Sequence, residues 1–105
     1  MQLQPTLITG SHSAARNNKA LELLTGKHYN LTLLDHLLFD DLEGVEAILV
    51  EDLYTSGELV QLKRALTSSY TKDSFTNIHI IATSPTIRKH NLPEELQSFY
   101  NVIEL

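Results

Sequence analysis

The chain contains no cysteine, no cluster of basic residues and no cluster of histidines. Without cysteine, disulfide bonds, cysteine nucleophiles and thiolate-bound metals are excluded. The formal net charge is −5 at pH 7 and no basic run occurs, so we expect no direct nucleic-acid surface, which needs clustered lysine and arginine. The five histidines lack the spacing of metal ligands, and the sequence therefore predicts no metal site.

Long apolar runs are also missing from the sequence. No segment approaches the ~18 consecutive apolar residues of a membrane-spanning helix. The opening residues MQLQPTLITG have neither the charged start nor the apolar centre of a signal peptide. We therefore expect no membrane contact and a cytoplasmic protein, including the case of a phage or mobile-element product made in the cytoplasm.

The length and composition predict one folded domain that spans residues 1–105. A chain of 105 residues can bury one apolar core and is too short for two. Its hydrophobic share of 42% and charged share of 20% are ordinary for a globular protein, which argues against disorder. No internal repeat, low-complexity segment or linker divides it.

The spacing of apolar residues alternates between the strand period and the helix period. Strands are predicted over residues 6–9, 30–34, 47–50, 78–83 and 102–105. Helices are predicted over residues 14–24, after the capping box at 55–58, and around 92–96, where Pro93 falls in the first turn. The segment LLDHLL at 33–38 could equally begin a helix, and Asp35 or Asp40 is a candidate cap for a short helical piece that runs through Leu42. Strands separated by helices predict an α/β fold, a three-layer αβα domain with a five-stranded parallel sheet.

The segment TLITGSHSAARNNKALELL, residues 6–24, has the strand, glycine-led loop and helix of a phosphate-binding site. The candidate loop residues are Gly10, Ser11, His12, Ser13, Ala14, Ala15, Arg16 and Asn17. An ordinary strand-to-helix turn, with Ser11 or Ser13 as helix cap, is the alternative interpretation.

Three blocks of the sequence together resemble the core of P-loop ATPases, most of all the AAA+ group. The first block follows the outline G-x-x-x-x-G-K-[ST], with Ala15, Arg16 and Asn17 at its last three positions. The second block is the apolar run AILV followed by Glu51 and Asp52, where the family has Asp-Glu.

The third block, IHIIATSP, supplies Thr83 or Ser84 at the place of the residue that senses the γ-phosphate in that family. The stretch LPEELQSFYNVIEL is similar to the family's P-x-x-L, Arg-Phe and final strand, with Ser98 at the arginine position. The resemblance spans nearly the whole chain and implies the strand order 5-1-4-3-2.

The departures from the family pattern predict that the chain has no catalytic residues. Ala15 adds a side chain where the backbone approaches a phosphate, and Arg16 is a wide planar group in place of a compact ammonium. Asn17 is a poorer Mg²⁺ ligand than a hydroxyl in this setting. The reversed acidic pair is expected to turn Asp52 toward the site and Glu51 away from it. We therefore expect no resident cofactor, with ATP and Mg²⁺ as the disfavoured alternative.

Receiver domains of the phospho-acceptor type are a second α/β family with a comparable spacing. Asp52 and Thr83 fit its phospho-acceptor and hydroxyl positions. Its first strand lies between the second and third strands, whereas the ATPase type places it between the fourth and fifth. The sequence lacks the acidic pair that a receiver carries after its first strand.

Three functions therefore stay open at this point. The first is a non-hydrolysing binding or assembly module with a protein partner, and it is the one that the sequence favours. The second is a weak nucleotide-dependent switch that uses Arg16 and the loop backbone. The third is a receiver-like signalling domain. The sequence leaves the oligomeric state open.

Overall fold

The computed structural model describes residues 3–39 and 41–105, and this part of the chain alternates strands with helices. Its strands and α-helices are β1 (Thr6–Thr9), α1 (Ser13–Leu24), β2 (Tyr29–Thr32), β3 (Ala47–Val50), α2 (Ser56–Thr67), β4 (His79–Ser84), α3 (Glu94–Phe99) and β5 (Asn101–Glu104). Short 3₁₀ helices lie at Leu34–Phe39, Lys72–Phe75 and Lys89–Asn91. The predicted strands and helices are present, with ends shifted by one or two residues in most cases.

The strands form one parallel sheet in the order β2-β3-β4-β1-β5. Counted from the β5 edge, this order reads 5-1-4-3-2. β1 pairs with β4 on one side and with β5 on the other, with Ile8 opposite both Thr83 and Ile103. The first strand therefore does not lie between β2 and β3, which is the position that a receiver domain requires.

Two apolar clusters form around the three central strands. Leu7 and Ile80 belong to a cluster that includes Leu59, Leu62 and Leu66 of α2 and Leu96 of α3. Ile8 and Ile81 belong to a second cluster with Ala20 and Leu24 of α1. β1 and β3 are buried at every residue, whereas the edge strands β2 and β5 are largely accessible. The core is thus organised by β1, β3 and β4.

The two longer helices begin in different ways. At the start of α2, Thr55 Oγ1 accepts from the Glu58 N–H, and a Glu58 carboxylate oxygen accepts from the Thr55 N–H, which confirms the predicted capping box. At the start of α1 the cap position is His12, and its side chain makes no capping bond. The predicted cap at Ser11 or Ser13 is wrong because the first helical bond runs from Arg16 N to His12 O.

The chain after β2 also differs from the prediction. β2 ends at Thr32, two residues before the predicted end, because the His36 N–H turns back to the Leu33 carbonyl and starts a 3₁₀ helix. Asp35 lies in the first turn of that helix, and the other candidate cap, Asp40, lies outside the described residues. Pro93 is the residue before α3 and not part of its first turn.

No helix in the described part of the chain is long and apolar enough to cross a membrane.

His79 joins β4 to β1 through its ring. Its Nε2 lies 2.9 Å from Oγ1 of Thr6, a buried residue on the neighbouring strand. Burial lowers the pKa of His79 below its ordinary value of 6.5, and the positive charge of Lys27 lowers the pKa further. The folded state therefore favours the neutral imidazole.

This arrangement predicts that the protein loses stability in mild acid. The unfolded chain takes up a proton at His79 near pH 6.5, and the folded chain does so only at a lower pH. The His79 contribution to the free energy of unfolding is complete above pH 6.5 and is lost as the pH falls from 6.5 through the lowered pKa. Urea denaturation of wild type and His79→Gln from about pH 7.5 to about pH 5 measures it.

The variant His79→Gln keeps a polar group near Thr6 without a charge, so its stability should fall less steeply with pH than that of wild type. The exposed histidine His90 provides the control, and His90→Gln should retain the wild-type slope. Equal slopes for wild type and His79→Gln would contradict the prediction.

Candidate functional site

The carboxyl ends of β1, β3 and β4 meet at one edge of the sheet. Gly10 follows β1, Glu51 and Asp52 follow β3, and Thr83 and Ser84 close β4. Open parallel sheets bind ligands at this edge, so it is the first place to examine for a site. The fold thus places all the residue groups singled out from the sequence around the same edge.

The connection from β1 to α1 is a short turn of three residues, Gly10, Ser11 and His12. Ser13 begins α1, so the remaining candidate loop residues lie in the first turns of that helix: Ser13, Ala14, Ala15, Arg16 and Asn17. A phosphate loop needs several successive N–H groups that converge on one point. Here the Arg16 N–H already donates to the His12 carbonyl, 3.1 Å away. The connection is therefore three residues long, and the first hydrogen bond of α1 closes at Arg16.

Both the N–H and the carbonyl of Gly10 are hydrogen-bonded to other parts of the chain. Its N–H donates to the Ser84 carbonyl over 3.2 Å, and its carbonyl accepts from Nη1 of Arg16 over 2.6 Å. A Cβ placed on Gly10 would lie 3.1 Å from Cβ of Leu105, which is closer than ordinary van der Waals contact. The positive-φ glycines among the described residues are Gly26 and Gly44. A glycine at position 10 therefore serves the close approach of Leu105.

Arg16 is the charged residue at the centre of this edge. Only 7% of its surface is exposed, although it lies in the first turns of α1. Besides the bond to the Gly10 carbonyl, its Nη2 lies 4.0 Å from Oδ1 of Asp52. The side chain therefore folds back over the turn and connects α1 with the ends of β1 and β3.

Asp52 adopts an unusual backbone conformation at the end of β3. Its φ is +61°, in the left-handed region that non-glycine residues seldom occupy. Its N–H donates to Oγ1 of Thr83, and the next N–H, of Leu53, donates to the Thr83 carbonyl. These two bonds turn the chain away from the sheet and leave the Asp52 carboxylate on the side of Arg16. Glu51 borders one groove with Leu31 and His36 and another with Asn17 of α1.

The two candidate sensor hydroxyls are both engaged by backbone groups. Thr83 Oγ1 accepts from Asp52 N over 3.1 Å. Ser84 Oγ accepts from the N–H groups of Thr86 and Ile87, over 3.2 and 3.0 Å, and so fixes the turn after β4. Thr9 Oγ1, one residue before Gly10, is buried without a hydrogen-bond partner. Thr83 and Ser84 thus shape the edge of the sheet.

The described residues offer no cluster of three or more histidine, aspartate or glutamate side chains that could hold a metal ion. A groove of about 450 Å³ lies elsewhere, between the 3₁₀ helix Leu34–Phe39 and α2. Neither observation points to a bound metal or ligand at the carboxyl ends of the strands.

Sequence reasoning identified Gly10, Arg16 and Asp52 but not the contacts among them. The close approach of Leu105 to Gly10 was missed, because a leucine at the end of a predicted strand carries no distinguishing pattern. The bond from Arg16 to Gly10 joins residues six positions apart across a turn, and no local periodicity signals such a contact.

Comparison of the chain with protein-family models, with curated proteins and with solved structures found no significant match.

The Arg16 contact predicts a large stability effect of one substitution. Arg16→Met keeps most of the side-chain length but leaves the buried Gly10 carbonyl without its side-chain donor, so it should lower the free energy of unfolding by about 1–3 kcal/mol. Urea denaturation measures this loss. The exposed arginine Arg64 on α2 supplies the control, because Arg64→Met should change stability by less than about 0.5 kcal/mol. Equal effects of the two substitutions would refute this role of Arg16.

The left-handed conformation of Asp52 predicts a difference between two truncations. Asp52→Gly and Asp52→Ala both remove the carboxylate, but only glycine adopts a positive φ without strain. The glycine variant should therefore be more stable than the alanine variant by about 1 kcal/mol. Thermal or urea denaturation of the pair gives the difference directly. An alanine variant as stable as the glycine variant would show that position 52 relaxes to another conformation.

Proposed function

We propose that this chain is a catalytically inactive domain with a P-loop-ATPase-like core that serves as a binding or assembly module for a protein partner. Support for the family assignment comes from the order of the three sequence blocks and from the place of β1 between β4 and β5. The assignment includes a three-layer αβα arrangement. Two separate clusters support it, because neighbouring residues on a strand, such as Leu7 and Ile8, point to opposite faces.

The observation that carries the proposal is the contact of Arg16 with groups of its own chain. In a nucleotide-binding loop, a cation and several free N–H groups wait for the phosphates. In this chain the guanidinium is buried, donates to the Gly10 carbonyl and lies next to the carboxylate of Asp52. A nucleotide that used Arg16 would have to break these contacts. This cost opposes binding.

The residues that would carry out hydrolysis have other tasks or are missing. Thr83 and Ser84 are buried, and their hydroxyl oxygens accept backbone N–H groups, which gives both side chains a structural task. Ser98 stands at the position of the family's arginine. A domain with this combination has the fold of an ATPase core but does not hydrolyse ATP. We therefore infer that it acts by contact with another macromolecule. The net charge of −5 favours a protein over a nucleic acid as that macromolecule.

Isothermal titration with ATP and with ADP, each with and without Mg²⁺, tests the absence of nucleotide binding. We expect no binding at micromolar concentrations and no nucleotide-dependent rise in melting temperature, since a bound ligand would stabilise the fold. Micromolar, Mg²⁺-dependent binding that Arg16→Ala abolishes would overturn the proposal in favour of a nucleotide switch. Lys19→Ala is the matched control, because Lys19 lies on the same helix and pairs with Glu22 at the surface.

A further inference from the structure

We draw no further inference here: the strongest candidate, the groove between the 3₁₀ helix Leu34–Phe39 and α2, is open to solvent, and nothing in the structure shows what covers it.

Discussion

The hydrogen bond from Arg16 to the Gly10 carbonyl is the contact on which the carboxyl edge of the sheet depends. It joins the first turns of α1 to the end of β1, and the same guanidinium reaches toward Asp52 after β3. A buried charge is costly unless its donors are used, so the turn, the helix start and the bend after β3 constrain one another. The short connection between β1 and α1 follows, because a wider loop would carry Gly10 away from Arg16.

The same interaction gives the strand, glycine and helix of residues 6–24 a structural use. The chain must pass from β1 to α1 whether or not a ligand binds at the carboxyl ends of the strands. In this chain the cation that a phosphate would attract is used to hold the polypeptide together. Gly10 is needed for the approach of Leu105 and makes no use of the left-handed conformations that glycine permits.

Most of the fold could be predicted from the sequence, because local signals and the global arrangement agree. The spacing of apolar residues predicted the strands and helices, and the capping box of Thr55 and Glu58 predicted the start of α2. The start of α1 was predicted less well, since two serines compete as caps and neither is used. Asp52 shows the limit most clearly, since its left-handed backbone depends on Thr83, 31 residues away in the chain. Residues that far apart leave no joint pattern in a single sequence.

The central place of β1 has a consequence for how the protein is made. β1 is completed first during synthesis, yet its partners are β4 and β5, the last two strands. Until residues 79–104 have been synthesised, the backbone N–H and C=O groups of β1 have no neighbouring strand to bond. Pairings between distant segments fold slowly and leave apolar surface exposed meanwhile. The sheet of this domain is therefore completed only after its last two strands have been synthesised.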